Sequence, residues 1–380
     1  MIEPFGSLFR RLLATRRAAR RGPLEFSMKR GPRVLVLAVQ TPFVQGGAEK
    51  HVRRLTEELC RRGVEADLLT LPLIERERFD LVRGALGWRM LDLTEVGGRP
   101  VDAIIATRFP SYAARHPNKI VWLIHQYRQA YDQFGTPFSD LTASEEDRRT
   151  REAIAEIDRV GLTEARRVFA NSRTVAERLR RYNGIDSEPL YHPPPLAGRY
   201  RRGPPGDYAL SVGRFDPWKR TDLLVRALAS APSARLTLVG RGPDEERLRR
   251  LAAGLGVADR IRFVPEASDE ELLDLYAGAR LVAVAPSGED LGYVPLEAFL
   301  SGKPVLTTDD SGGPLEFVRH GETGFVVPAR PEAIGAALET AWSKAEALAR
   351  MGESGRRRAA SLSWDHAIES LLSAAGIAPP

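Results

Sequence analysis

The sequence predicts an α/β protein: two doubly wound domains, each with a parallel sheet, facing one another across a cleft. Three observations lead there. From Arg33 onward, short apolar runs rich in Val, Ile and Leu alternate with amphipathic stretches, the rhythm of parallel sheets covered by helices. That rhythm breaks once, at His192-Pro-Pro-Pro-Leu196 and Gly203-Pro-Pro-Gly206, where consecutive prolines force an extended backbone. A chain of 380 residues, 43% hydrophobic and 28% charged, is long enough for two domains with sizeable cores. The expected order is a basic tail 1–30, a first domain 31–192, a linker 193–206, a second domain 207–361 and a final helix 362–376.

Val34-Leu-Val-Leu-Ala-Val39 reads as a buried strand from its unbroken apolar run. A loop with Gly46-Gly47 follows, then a helix to Arg62 with Val52, Leu55 and Leu59 inward and the single cysteine, Cys60, expected at its buried edge. Strands are read at Ala66–Leu71, Val101–Thr107 and Lys119–His125, a helix near Ser144–Gly161, a strand at Arg167–Asn171 and a helix at Arg173–Tyr182. Glu188–Tyr191 closes the first half. In the second half, strands fall at Tyr208–Gly213, Arg235–Gly240, Arg262–Val264, Leu281–Ala285, Pro304–Thr308 and Gly324–Val326. Asp244, Ser268 and Pro331 mark helix starts, and Trp364–Ala374 is the last helix, after a basic patch at Arg356–Arg358.

The net charge is +6, and residues 1–30 account for it with eight Lys/Arg against two Glu, leaving the body neutral. A neutral body excludes a strongly basic nucleic-acid binder. In the tail, Phe5, Leu8, Phe9, Leu12 and Leu13 share a helical face edged by arginines. Such a segment suits an anionic membrane surface. It also reads as a solubilising arm, or as residues ahead of a start at Met28. It lacks the long apolar core and cleavage site of a secretory signal. No run of about 18 apolar residues is present to span a bilayer. One cysteine permits no internal disulfide and points to a reducing, cytoplasmic setting. The six histidines show no metal-ligand spacing, so no metal is expected.

The chemistry concentrates at Ser287-Gly-Glu-Asp-Leu-Gly-Tyr-Val-Pro-Leu-Glu297, ahead of Ser301-Gly-Lys-Pro-Val305. The layout is strand, polar loop, helix, strand, with Glu289 in the loop and Glu297 in the first helical turn, near Pro295. In open α/β sheets, a loop that feeds a helix after a parallel strand is where ligands bind. Leu291, Gly292 and Tyr293 lead into that helix, so their backbone N–H groups can face a diphosphate, and Gly292 permits close approach. Gly213-Arg-Phe-Asp-Pro-Trp-Lys219 adds Arg214 and Lys219, cations suited to a leaving diphosphate. Gly47 sits in a strand-to-helix loop, and His125 ends a strand, which aims it toward the cleft.

Together these segments resemble family 4 of the retaining glycosyltransferases, which share the GT-B fold of two Rossmann-like domains. The resemblance covers most of 33–375. It is carried by Leu210-Ser-Val-Gly-Arg-Phe-Asp-Pro-Trp-Lys-Arg-Thr-Asp222, Leu236-Thr-Leu-Val-Gly-Arg-Gly-Pro243, Ala285–Ala298, Gly321-Glu-Thr-Gly-Phe325 and Ser363-Trp-Asp365. It implies that Arg214 and Lys219 hold the diphosphate, Glu297 the ribose, and Glu289 with the backbone of Asp290, Leu291 and Gly292 the donor sugar. Gly47 would lie beside the phosphates, His125 beside the sugar and Val264 near the base. It further implies a retaining, metal-independent enzyme with no cofactor beyond its nucleoside-diphosphate sugar. The reaction would be same-face attack by a glycan or lipid-linked acceptor bound mostly to the first domain, in cell-surface polysaccharide assembly. The absence of an Asp-x-Asp accords with that. Two departures stand out: Leu291 where that family often has Phe, and Val264-Pro265-Glu266 for a commoner Phe-x-Gly. The final helix is expected to return to the first domain.

Rival readings are a nicotinamide oxidoreductase, a same-fold epimerase or phosphorylase, and a non-catalytic nucleotide-sugar binder. The first requires Gly-x-Gly-x-x-Gly, and Gly240-Arg-Gly242 lacks the third glycine.

Overall fold

The computed structural model describes residues 31–42 and 46–378, so the expectation for the basic tail 1–30 lies outside the described residues. The chain divides into two units. One takes in the described residues up to Ala170, Val175–Leu190 and those from Ala367 onward; the other takes Asn171–Thr174 and Tyr191–His366.

The first unit runs β1 (Arg33–Gln40), α1 (Gly47–Arg61), β2 (Glu65–Pro72), α2 (Arg78–Met90), β3 (Glu95–Val96), β4 (Arg99–Pro100), β5 (Ala103–Arg108) and β6 (Lys119–His125). Then follow α3 (Glu145–Thr163), β7 (Arg167–Ala170), α4 (Arg173–Asn183) and β8 (Glu188–Pro189). Six of its strands form a parallel sheet in the order β2-β1-β5-β6-β7-β8. The apolar runs are central strands: in β6 every residue before His125 is buried, Lys119 included. Lys119 is tolerated because its ammonium donates to the carbonyls of Tyr112 and Ala114, at 2.9 and 3.0 Å, and faces Glu164. Burial still pushes its pKa down to about 8.

Helix α2 has no counterpart in the sequence reading. Gly84 and Gly87 interrupt it, and glycine is a poor helix former. Packing decides its form, with Leu81, Ala85 and Trp88 in the core. Cys60 departs from expectation: it lies on the exposed side of α1, while Leu55 and Leu59 take the buried face. A position one residue past Leu59 is turned about 100° around the helix, and the core ends before reaching it.

The second unit runs β9 (Ala209–Val212), α5 (Thr221–Ala227), β10 (Leu236–Val239), α6 (Glu245–Gly254), β11 (Ile261–Val264), α7 (Asp269–Gly278), β12 (Leu281–Ala283) and α8 (Tyr293–Leu300). Then come β13 (Val305–Thr308), β14 (Gly324–Val327), α9 (Pro331–Ser343) and α10 (Ala345–Ala360), and the last helix, α11 (Trp364–Ala374), starts in this unit and from Ala367 belongs to the first. Its sheet is parallel throughout, in the order β11-β10-β9-β12-β13-β14. Ser268, read from the sequence as a helix start, caps α7 in a reciprocal box with Glu271. The basic patch is part of α10, where Arg356 pairs with Glu353 and Arg358 donates to the Glu316 carbonyl. The Pro-rich segment is fastened down: His192, Pro193 and Pro194 are buried, with the His192 ring stacked on Trp364 at 5.4 Å.

Candidate functional site

In the second sheet the chain travels outward from β9 through β10 to β11, then returns to place β12 on the other side of β9. Ligands of such sheets lie outside the carboxyl ends of the strands at this reversal. The loop after β9 carries Arg214 and Lys219; the loop after β12 carries Glu289, Asp290, Leu291 and Gly292. Topology therefore brings together segments 70 residues apart.

Three loops are fastened to one another there. The Ser287 N–H donates to the Trp218 carbonyl at 2.8 Å, and the Lys219 ammonium ion-pairs with the Glu289 carboxylate. Gly288 and Glu289 donate their N–H groups to the carbonyls of Asp310 and Ser311, at 2.9 and 2.8 Å. Gly313 donates back to the Glu289 carbonyl at 2.8 Å. The backbone of Glu289 is thus committed to the fold, and its side chain projects to Lys219. Gly312 and Gly313 are required: a Cβ on Gly313 would lie 2.3 Å from the Asp290 carbonyl oxygen, and Gly312 has φ +74.

Arg220 is the residue the sequence reading missed. It is the one non-glycine with positive φ, +47, among the described residues. Its guanidinium donates to the carbonyls of Ala285 and Pro286, both at 2.8 Å, to Thr308 Oγ1 at 3.1 Å and to both Asp310 oxygens at 2.6 and 2.7 Å. A left-handed backbone costs about 1–2 kcal/mol, which those bonds offset. The signal available was Arg-Thr directly after Lys219, a cation just ahead of a helix start.

The Lys219–Glu289 pair is 31% and 22% exposed. At that exposure an ion pair is worth on the order of 1 kcal/mol, so little free energy holds the two side chains together. Arg214, half-exposed, reaches Asp216 at 3.3 Å. Burial raises the Asp216 pKa, while Arg214 and Lys219 oppose the rise.

Glu297 follows in the helix that the Glu289 loop feeds. It is the fifth residue of α8, hence in the second turn rather than the first, because the helix begins only after Gly292 at φ +77. Its carboxylate accepts from the Tyr276 hydroxyl at 2.5 Å. Burial, followed by that carboxylate, raises the phenol pKa of Tyr276, Tyr200 and Tyr293. Leu291 is buried in the core, so what it offers a ligand is backbone. Val264 ends β11, its carbonyl accepting from the Gly240 N–H at 2.9 Å.

Gly47 and His125 belong to the first unit. Gly47 opens α1, and the preceding Gly46 N–H donates to Glu49 at 2.8 Å. Glu49 in turn pairs with Arg108 at 3.0 Å, which places a carboxylate at the positive end of α1. His125 is the exposed last residue of β6, in register with Arg108 at the end of β5. Among the described residues no group of three or more His, Cys, Asp or Glu could hold a metal ion. No helix among them is long and apolar enough to cross a membrane.

The pattern of the family described as Glycosyl transferases group 1 matches residues 201–358. A D-inositol 3-phosphate glycosyltransferase of Nocardia farcinica is 31% identical over 411 aligned residues, covering 90% of this chain and 89% of its own. The chain belongs to the group 1 glycosyl transferases. Among solved structures, sucrose-phosphate synthase from Thermosynechococcus elongatus matches with a TM-score of 0.71 at 20% identity, over 89% of this chain and 97% of its own. HepE of Anabaena, solved in complex with UDP-glucose, matches with a TM-score of 0.66 at 17% identity, over 90% and 98%. These likenesses establish the GT-B fold, each unit being one Rossmann-like domain. As a group 1 glycosyl transferase, this protein is a glycosyltransferase that uses nucleotide-sugar donors.

Proposed function

We propose that the enzyme moves a hexose from a nucleoside-diphosphate sugar to a glycan or lipid-linked acceptor in cell-surface polysaccharide assembly, retaining anomeric configuration and needing no divalent metal. The observation that carries this reading is the Lys219–Glu289 pair at the reversal of strand order. A bound donor breaks the pair. Lys219 turns to the diphosphate oxygens with Arg214, and Glu289 is released to accept from sugar hydroxyls. As the glycosidic bond breaks, charge accumulates on the diphosphate, and two fixed cations lower that barrier. They supply the charge that a metal would otherwise bring.

Backbone N–H groups of Leu291, Gly292 and Tyr293 face the same phosphates, the backbone of Asp290, Leu291 and Gly292 borders the sugar, Glu297 takes the ribose hydroxyls, and Val264 borders the base. Gly47 and His125 are proposed as further donor contacts, at the phosphates and the sugar respectively. The acceptor attacks from the face the diphosphate leaves. UDP-glucose in HepE supports the donor class. A second acceptor reading, a phosphorylated cyclitol, is favoured by the name of the Nocardia relative. A cytoplasmic enzyme, held at the membrane through residues 1–30, suits a lipid-linked acceptor.

Lys219→Ala and Glu289→Ala should each lower transfer about 10²–10³-fold while far-ultraviolet circular dichroism is unchanged. Wild-type turnover in either would remove the assignment. Product analysis by proton NMR tests retention, since an inverted anomer refutes it. Full activity in EDTA is expected, and strict dependence on Mg²⁺ or Mn²⁺ would contradict the metal-free reading. Parallel assays with inositol 3-phosphate and with lipid-linked glycans decide between the acceptors.

A further inference from the structure

Ser301-Gly-Lys-Pro304, between α8 and β13, lies outside the candidate donor loops, yet it carries two buried polar side chains. Ser301 is 1% exposed, and its hydroxyl has no hydrogen-bond partner. Lys303 is 3% exposed, its ammonium donating to the carbonyls of Gly203 at 2.9 Å and Pro204 at 3.3 Å. An ammonium carries three N–H donors, so one is left over. Both residues line a cavity of about 380 Å³.

The charges around that cavity are lopsided. Arg202, Arg280 and Lys303 line it against one carboxylate, Glu353. Glu353 is itself divided between Arg202 and Arg356. Arg280 is held in place by its bond to the Gly206 carbonyl at 3.0 Å and lies 5.3 Å over the Trp342 ring. The start of α10 also contributes, through Ala345, Leu348 and Ala349, and no side chain caps that helix. An uncapped N-terminus presents orphan N–H groups and a partial positive charge. The opposing influence is the negative end of α8. It is covered, because Ser301, Gly302 and Lys303 donate backbone N–H groups to the carbonyls of Glu297, Phe299 and Ala298. Cationic side chains, a buried hydroxyl without a partner and a bare helix start outweigh it. Gly352 lets α10 press this closely, since a Cβ there would stand 2.0 Å from the Gly302 carbonyl oxygen.

We infer that the cavity between the carboxyl end of α8 and the start of α10 binds a small phosphate-bearing anion, with Ser301 and Lys303 as its buried donors. The cavity is larger than a bare phosphate, so a phosphomonoester of a small polyol fits the class. The site is separate in sequence from the donor loops, and its test stands apart from the reading of the transfer reaction.

The probes are inorganic phosphate and glycerol 3-phosphate, titrated calorimetrically into the full chain carrying Lys219→Ala, which weakens competing phosphate binding at the donor loops. One saturable site is expected. Adding Lys303→Met should weaken it about tenfold or more, the usual scale for a lost charge-assisted bond, and adding Ser301→Ala about threefold. Ser301→Ala removes only an unpartnered hydroxyl, so it keeps the test valid if Lys303→Met does not fold. A selenate-soaked crystal should show an anomalous peak beside Ser301 Oγ. No saturable binding, affinity unchanged in Ser301→Ala, or selenate only at other places would each overturn the proposal.

Discussion

Arg220 shows how one side chain can hold a site it does not itself form. Its guanidinium spans the loops after β12 and β13 while its backbone ends the loop that bears Lys219. Arg220→Ala is expected to lower kcat about 10–100-fold with a smaller change in KM for the donor, since geometry rather than uniform binding is lost. Arg220→Lys should not restore it, because a point charge cannot replace a planar fork. Steady-state kinetics of both variants check this.

Asp158 is a second residue with a measurable signature. It is fully buried, accepting from the hydroxyls of Tyr112 at 2.6 Å and Tyr131 at 2.7 Å. Burial nonetheless wins over those bonds and pushes its pKa up to about 7. A carboxyl raised in the folded state favours folding fully at low pH. That contribution declines from about pH 4 and is gone above pH 7. Asp158→Asn, which cannot ionise, should gain ~1–3 kcal/mol relative to wild type between pH 5 and pH 8. Urea unfolding at the two pH values measures it, and parallel stability curves would refute the ionisation.

At the scale of elements, the site depends on loops meeting without side chains between them. Gly313→Ala puts a methyl against the carbonyl of Asp290 and the Cα of Leu291, both backbone, so the strip of hydrogen bonds from Gly288 to Gly313 must open. A loss of about 1–3 kcal/mol is expected, with transfer falling along with it. Thermal unfolding and activity assays on the same preparation follow both. Helix α8 makes the complementary point. Its start is set by Gly292, and that places Glu297 against Tyr276 rather than in the first turn.

For the whole molecule, the expectation is that a nucleoside-diphosphate sugar stabilises the enzyme by mass action, about 2.7 kcal/mol at a hundredfold excess over Kd. Comparing UDP-, GDP- and ADP-sugars by the rise in Tm identifies the base, and the rise should vanish in Lys219→Ala. A rise of equal size in that variant would move the donor away from these loops. Liposome co-sedimentation of the full chain against one starting at Met28 tests the basic tail, and equal pelleting would dismiss a membrane role for it.

Alternation of apolar runs and helical faces settled the parallel sheets and nearly every strand, since a strand buried on both faces leaves an unbroken hydrophobic record. Glu289, Lys219 and Arg214 could be picked out as candidates because charge and glycine follow directly after a strand there, and the fold sets their loops side by side. The pairing of Lys219 with Glu289, the clamp by Arg220 and the outward turn of Cys60 were not legible. Each depends on which loops the order β10-β9-β12-β13 sets side by side, or on where a packed face ends. Such proximity follows from non-local strand pairing and leaves no period in the chain.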